Sequence, residues 1–555
     1  MTDHDRTPED GARISRRTFV GASALAGVAA AVHGDLHPAA ALAASERRAP
    51  AAAPETEELS IADVQAGLQS GRFTSRALTE RYLERIDAMD RRGPALHAVL
   101  QTNPDALDIA AALDAERKAK GPRGPLHGVP VLVKDNLATA DRMPTTAGSL
   151  ALVGSTVPRD AFVIQQLRAA GAIVLGKTNL SEWANFRSTH ASSGWTGRGG
   201  QCRNAYALDR SPSGSSSGTG AAVAANFCTV GIGTETDGSI LAPSSANSLV
   251  GIKPTVGLVS RAGIIPISHN QDTAGPMART VRDAAILLGA IAGADPRDAA
   301  TAGNAGHVEA DYTRFLDAAG LKGARIGVAR KEYTGYSPKT DALLDEALAV
   351  MKDAGAVIVD PADIETAGKF GDSEWDALLY DFKHDLNAYL ADLGPSSPAK
   401  TLADLIAFNE RHRAQEMPYF GQELFEQAQA KGPLTEDAYR QAVEKNRRMS
   451  RAEGIDATMD RYRLDALVAP TMGPAPLIDL VNGDPGGGGS STSPAAVAGY
   501  PSVTVPCGYV LGVPVGLSFF GRAYTEGALL RLAYAYEQAS RKRVPPRYLP
   551  TAVLD

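Results

Sequence analysis

Between residues 204 and 255 the chain reads NAYALDRSPSGSSSGTGAAVAANFCTVGIGTETDGSILAPSSANSLVGIKPT. Two segments dense in glycine and hydroxyl groups, Ser-Gly-Ser-Ser-Ser-Gly at 213–218 and Thr-Glu-Thr-Asp-Gly-Ser at 234–239, flank a run of Ala and Val suited only to burial. Such a pairing holds hydroxyls still against a packed support. Small residues let backbone and ligand approach closely, and glycine permits φ values that aim consecutive N–H groups at one point. The chemistry this suits is stabilisation of an anion or oxyanion, with a serine as candidate nucleophile. A serine hydroxyl is a poor nucleophile until a base takes its proton. Lys134 is placed for that role, since it ends the apolar run Val129-Pro130-Val131-Leu132-Val133, where burial would favour its neutral form. A surface lysine after a strand, or a partner for Asp135, is the plainer reading of the same residue.

Three motifs compete for this chemistry. Residues 171–178, Gly-Ala-Ile-Val-Leu-Gly-Lys-Thr, fit the phosphate-cradling pattern GxxxxGK[ST]. Their context is wrong for it, because the four variable positions form an apolar strand and leave no loop to wrap a phosphate. Residues 214–218 fit GxSxG with Ser216 at the centre, a pattern that belongs at a sharp turn between strand and helix. The preceding Ala-Leu-Asp-Arg-Ser-Pro is a poor strand, and His269, His307, His384 and His412 stand in undistinguished surroundings for a triad histidine. The third candidate is the whole of 204–255 acting with Lys134.

Positioning such groups takes a scaffold, and the chain has the material for one. Its 555 residues are 44% hydrophobic and 21% charged, the make-up of an ordinary globular protein with a substantial core. A net charge of −7 supplies no basic footprint, which argues against a nucleic-acid partner. Cys202, Cys228 and Cys507 lie far apart without ligand spacing, so neither a disulfide framework nor a metal centre is expected. Thr74 and Ser75 can cap a helix to about residue 92 that gathers Leu78, Tyr82, Leu83 and Ile86 on one face, and a second helix is expected over 104–120. Apolar runs at 129–133 and 172–175 read as strands buried on both faces, with a helix between them capped by Asp160. Strand, helix and strand in that order argue for a parallel or mixed α/β sheet. The theme continues with strands at 324–329 and 356–359 around a helix at 340–354, strands at 464–470 and 501–506, and a closing helix at 526–540. The aromatic stripe from Trp375 to Tyr389 reads as core packing without chemistry. The Gly/Ser-rich segment 483–493 is expected to be a mobile loop.

The N-terminus reads differently. Arg16 and Arg17 precede an uncharged Gly/Ala-rich run, and Ala41-Leu42-Ala43 offers a small-x-small cleavage site. This predicts a twin-arginine-type export signal over 1–43, a linker over 44–58 and a folded domain over 59–553. The apolar run falls short of the ~20 residues a membrane span needs, so no stable membrane association is expected. The expected location is secreted, periplasmic or cell-envelope.

Several segments taken together resemble one family. Gly128-Val129-Pro130-Val131-Leu132-Val133-Lys134-Asp135-Asn136, the serine cluster around Ser215, the segment 231–243 and Val250-Gly251-Ile252-Lys253-Pro254-Thr255 are similar to the motifs of the amidase signature family. The likeness runs from about 59 to 550. Residues 233–240 and 268–279 are most similar to the branch of bacterial peptide amidases. The resemblance implies a single α/β domain: a mixed, mostly parallel twisted sheet with helices on both faces. It implies a catalytic Ser–cisSer–Lys triad in which Ser239 is the nucleophile, Ser215 the bridging serine on a cis peptide and Lys134 the base. It further implies an oxyanion site built from the backbone of Thr236, Asp237, Gly238 and Ser239, and no metal or cofactor. The chain departs from the common pattern at Asp237, where many members carry glycine, and at Leu241, where many carry arginine; Asp237 could repel carboxylate substrates.

The function expected is that of an exported amidase converting a carboxamide, with a peptide C-terminal amide as the narrower case, to a carboxylic acid and ammonia. Its partner is then a small-molecule or peptide amide substrate. The alternatives are an aryl or acyl amidase, an esterase using the same triad, and an exported binding protein on an inactive scaffold. A tRNA amidotransferase subunit fits an exported chain poorly.

Overall fold

The first helices form where the sequence caps them. In the computed structural model, which describes residues 55–485 and 489–553, Ser60 and Asp63 close a reciprocal capping box on α1 (Ile61–Ser70). The Thr74 hydroxyl accepts from the Ala77 N–H to start α2 (Ser75–Arg85), which buries Leu78 and Tyr82 against α3 (Ala106–Lys120). Asp160 does not cap the next helix, α4 (Phe162–Ala169): its carboxylate accepts from the Ala140 N–H and pairs with Arg168 at 3.0 Å.

The sheet has eleven strands among the described residues. The strands are β1 (Val99–Thr102), β2 (Pro130–Lys134), β3 (Ile173–Thr178), β6 (Val230–Glu235), β7 (Val250–Lys253), β8 (Thr273–Ala278), β9 (Arg325–Val328), β10 (Val357–Val359), β11 (Ala466–Pro470), β12 (Ser502–Val510) and β13 (Val513–Phe520). Their order is β1-β3-β2-β6-β8-β7-β12-β13-β11-β9-β10, and a two-stranded ribbon of β4 (Trp195–Thr196) and β5 (Gly200–Gln201) stands apart. The mixed α/β sheet is as expected. Its parallel ladders are β2/β3, β2/β6, β9/β10 and β9/β11, while the other six are antiparallel, so the expected predominance of parallel pairing holds only within those two groups. Parallel neighbours need a long crossover, and the chain supplies one through α4 and another through α8 (Pro338–Asp353). Between the two groups, β12 and β13 are joined by the tight turn Leu511-Gly512, which can only make an antiparallel pair.

Helices cover both faces. α5 (Ser217–Ala224) and α6 (Leu241–Ala246) touch each other and pack on one face of the central strands; α7 (Val281–Ile291) and the helix Glu526–Ser540 cover the other. The α5 side is built for close approach. A Cβ on Gly231 of β6 would lie 2.6 Å from the Thr219 methyl, and one on Gly218 of α5 would lie 2.3 Å from the Ala98 carbonyl. The small residues that stand out in the sequence therefore let α5 sit directly on the sheet. The described residues cluster as one compact unit. No described helix is long and apolar enough to cross a membrane. The residues behind the expected export signal, Arg16, Arg17 and Ala41 to Ala43, lie outside the described residues, as does part of the 483–493 segment.

Candidate active site

Lys134 ends a strand buried along its whole length, and its side chain is fully buried as well. Nζ donates to Ser215 Oγ at 2.8 Å, Thr234 Oγ1 at 2.9 Å and the Thr234 carbonyl at 3.2 Å. Asn136 Nδ2 donates to the same Thr234 hydroxyl at 2.9 Å and fixes it. Burial pushes the Lys134 pKa down from 10.5 to about 7, against the smaller opposing pull of the Asp272 and Glu235 charges. Asp135 is not its partner: that carboxylate accepts from Thr146 and forms an ion pair with Arg198 at 3.3 Å.

The two hydroxyl-rich segments meet beside this amine. The Gly214–Ser215 peptide is cis, the Ser215 carbonyl accepts from the Ser181 N–H at 3.0 Å, and the Ser216 N–H donates to the Ser239 carbonyl at 3.1 Å. Ser216 Oγ is occupied structurally, donating to the Thr234 carbonyl and accepting from the Thr234 N–H. The hydroxyl at the centre of GxSxG is thus a fastener between segments. Ser239 Oγ, by contrast, has no hydrogen-bond partner among the described residues, and Ser239 borders the same cavity as Ser215.

The turn that carries Ser239 presents a row of open donors. The N–H groups of Thr236, Asp237, Gly238 and Ser239 meet no acceptor among the described residues, whereas the next two, on Ile240 and Leu241, donate to the Glu235 carboxylate at 2.7 and 3.0 Å. Gly238 sits at φ +76°, a left-handed conformation that glycine adopts freely and that bends the chain between Asp237 and Ser239, both of which border that cavity. Side chains hold the turn from outside: Thr236 Oγ1 donates to Asp272 Oδ1 at 2.6 Å, and Thr492 Oγ1 donates to Asp237 Oδ1 at 2.6 Å. Burial pushes the Asp272 carboxyl up to about 6.

The cavity holds about 300 Å³. Gly214, Ser215, Thr236, Asp237 and Ser239 form one wall, and Ala184, Asn185, Phe186, Ile267, Gly371, Glu374, Trp375 and Leu378 form the rest. Glu374, Trp375 and Leu378 come from α9 (Gly371–Asp392). This corrects the reading of the Trp375 stripe as core alone, since Trp375 is 38% exposed and faces the cavity. A helical stripe records which residues share a face, but its first turn here overhangs the pocket instead of the core. Trp183, Ala184 and Asn185 occupy three consecutive positive-φ positions (52°, 54° and 74°), a strained stretch that delivers Ala184 to Phe186 to the cavity and that no composition signal marks.

The remaining sequence candidates fall elsewhere. Residues 173–178 are β3 itself, with Lys177 buried against the Leu137 carbonyl and Thr145 Oγ1, so no phosphate loop exists there. His269 and His384 hydrogen-bond Asp385, while His307 and His412 stack on Tyr524 and Phe408. His269, His384 and Asp385 place ligand atoms within 4.8 Å of one another, the one such cluster among the described residues, and none of the three borders the cavity. All three cysteines are buried and free.

Comparison with known proteins identifies the family. The family model described as Amidase matches residues 77–530. A protein of Arabidopsis thaliana named "Probable amidase" is 44% identical over 502 residues, covering 89% of this chain and 92% of that one. The native peptide amidase of Stenotrophomonas maltophilia superposes with a TM-score of 0.84 at 52% identity, covering 89% of this chain and 99% of that one. An amidase family protein of Bacillus anthracis gives 0.80 at 37% identity, covering 89% and 93%. The chain therefore belongs to the amidase family, the amidase signature hydrolases that act on amides.

Proposed function

We propose that this protein hydrolyses carboxamides, with peptide C-terminal amides as the narrower class, through an acyl-enzyme on Ser239 with Ser215 and Lys134 as proton relay. The observation that carries the reading is the 2.8 Å hydrogen bond from Lys134 to Ser215 at the edge of the cavity that Ser239 also borders. A buried amine poised near neutrality is a base matched to its task.

In this mechanism neutral Lys134 takes the Ser215 proton as Ser215 takes that of Ser239. Ser239 Oγ forms a bond to the amide carbon, and the carbonyl oxygen takes up negative charge facing the N–H groups of Thr236 to Ser239. Each such donor is typically worth about 3 kcal/mol in the transition state. Collapse breaks the C–N bond, and the proton held on Lys134 returns through Ser215 to the departing nitrogen. A water then loses a proton to the same relay, attacks the ester carbon and releases the carboxylic acid from Ser239. The 52% identity with a peptide amidase supports the narrower substrate class. The apolar lining of Phe186, Trp375 and Leu378 would equally suit an aryl amide, so both classes belong in the substrate panel.

The test is intact mass and peptide mapping after a fluorophosphonate probe, followed by hydrolysis of a panel of primary, peptide and aryl amides. An adduct on Ser239 with turnover of primary amides is expected. An adduct on Ser216, or a folded protein with no adduct and no turnover, would refute the reading. We further propose export through Arg16-Arg17 and Ala41-Leu42-Ala43. Replacing both arginines by lysine should leave precursor inside the cell, and unchanged secretion would rule this route out.

A further inference from the structure

Away from the cavity, two imidazoles converge on one carboxylate. His269 lies in the loop before β8, and His384 and Asp385 lie on α9 beyond the turn that overhangs the pocket. His384 Nδ1 sits 2.8 Å from Asp385 Oδ1, and His269 Nδ1 sits 2.9 and 3.1 Å from Asp385 Oδ2 and Oδ1. The His269 backbone N–H donates to Asp385 Oδ2 at 2.7 Å, which pins the loop to a helix residue 116 positions further on. Neighbouring hydrogen bonds fix where the His269 ring proton sits. The Tyr439 hydroxyl gives its one proton to Asp381 Oδ1 at 2.7 Å, so towards His269 Nε2, 3.3 Å away, it can only accept. Asn270 Nδ2 is also 3.3 Å from Nε2, but its two protons have nearer acceptors in Asp381 Oδ2 at 2.9 Å and the Tyr439 oxygen at 3.1 Å. These partners assign the ring proton to Nε2 and leave the Nδ1 lone pair facing the Asp385 carboxylate. Two acceptors that close need a cation between them, either a second ring proton or a metal ion. Neither Asp381 nor Asp385 has a lysine or arginine ion-pair partner among the described residues. The cations beside them are engaged elsewhere: Arg261, which donates to the His269 carbonyl, pairs with Asp298 at 2.6 Å, Arg447 donates to Asn270 Oδ1 at 3.1 Å, and Lys383 donates to the Gln429 carbonyl at 2.8 Å.

We propose that His269, His384 and Asp385 form a site for a late first-row divalent ion of the zinc class, which clasps the loop before β8 to α9. Two imidazoles and a carboxylate are donors for Zn²⁺, Co²⁺, Ni²⁺ or Cu²⁺, whereas Mg²⁺ and Ca²⁺ call for oxygen alone. Bonds of about 2.0–2.2 Å set neighbouring donors roughly 2.9–3.5 Å apart, and the distances from Asp385 to the two rings are already close to that span. One donor atom from each of the three residues lies within 4.8 Å of the others, and both imidazoles are exposed and free to swing together. Water fills the positions left on the solvent side. Asp381, on the preceding helical turn and 3.6 Å from His269 Nδ1, adds a second negative charge that favours a dication. The ion has no part in hydrolysis. Its loop carries Ile267 and its helix carries Trp375, both of which line the cavity, so the clasp joins two of the cavity's walls.

The test is calorimetric titration of Zn²⁺ into the untagged, chelator-treated full chain. One ion per chain is expected to bind with a Kd in the micromolar range or below. His384→Ala and His269→Ala each remove one donor, and each should weaken binding by about 100-fold, at least the loss that follows removal of an outer partner of a metal ligand. Zn²⁺ should raise the Tm of the unmodified protein in step with its concentration and leave that of His384→Ala unmoved. Mg²⁺ at the same concentration should bind to neither. If the alanine variants do not fold, anomalous scattering at the zinc edge from Zn²⁺-soaked crystals of the unmodified protein locates the ion, and a peak within bonding distance of both imidazoles and Asp385 is expected. No saturable Zn²⁺ binding, binding that both variants keep, or a zinc peak elsewhere would overturn the proposal and leave a proton between His269 and Asp385. Every readout here is binding, stability or position, so a failure of the amidase reading, with no Ser239 adduct and no hydrolysis, would leave these results unchanged.

Discussion

Lys134 and Lys177 stand on neighbouring parallel strands, and both are fully buried. In the β2/β3 register Lys134 pairs with Thr178 and Val133 with Lys177, so the two lysines are one residue out of step and point to opposite faces of the sheet. Burial lowers both pKa values, to about 7 and about 8. Their surroundings separate them. Lys177 Nζ ends on the Leu137 carbonyl and Thr145 Oγ1, with the Asp135 charge nearby, and none of these residues lines the cavity that Ser239 borders. Lys134 Nζ ends on a serine whose own residue borders the site. Desolvation makes an amine a base near neutral pH, but only a neighbouring hydroxyl with access to substrate turns that base to use.

The largest expected effect breaks the comparison directly. Lys134→Met should lower kcat/KM by about 10³–10⁴ and abolish fluorophosphonate labelling of Ser239, with the fold retained. Lys177→Met should leave kcat/KM within about threefold, because it removes no group of the relay. Its cost falls on stability, about 1–3 kcal/mol, for the carbonyl and hydroxyl it leaves unpaired. The pH profile sharpens the same contrast. Only neutral Lys134 can accept a proton, so acylation should rise tenfold per pH unit below about 7 and level off above it, with an unmoved midpoint in Lys177→Met. Comparable losses of activity in both variants, or a flat acylation profile from pH 5 to 8, would show that burial of an amine is all the two positions share.

The same two lysines show what a sequence can and cannot display. Residues 171–178 match a phosphate-loop pattern letter for letter, yet the unbroken apolar run at 172–175 marks a strand, and the structure carries that strand on as β3 through Thr178. Lys134 was legible because a charge directly after an unbroken apolar run is costly to bury without purpose. The hydroxyl-rich segments were legible because so many small residues have few uses other than close packing. What stayed hidden is what folding brings together from far along the chain. Thr492 reaches Asp237 across 255 residues and Gln271 reaches Glu374 across 103, and neither pair has a local signature. Trp375 was visible as part of a helical stripe, but periodicity cannot tell a core from a pocket that the same face overhangs. The antiparallel middle of the sheet was hidden for a related reason: β7 is four residues with a glycine among them, and β8 carries a glycine and a proline, so neither offers much alternation to read.

The smallest effect separates Ser216 from Ser215. Both lie in one short cluster, and the GxSxG pattern favours Ser216, yet its hydroxyl is held between the carbonyl and N–H of Thr234 at 3.1 and 3.2 Å while its neighbour's faces Lys134. Ser216→Ala should therefore cost stability and not chemistry. Loss of one buried hydroxyl that satisfies two backbone groups is worth about 1 kcal/mol, more if the Thr234 N–H stays unpaired. In a protein of this size that is a fall of a few degrees in Tm at most, with kcat/KM within about threefold of the parent. Calorimetric melting and amide turnover on the one variant check both halves. A Ser216→Ala protein that melts normally but neither turns over nor takes the phosphonate would move the nucleophile to the GxSxG centre, and the buried amine of Lys134 would then be as structural as that of Lys177.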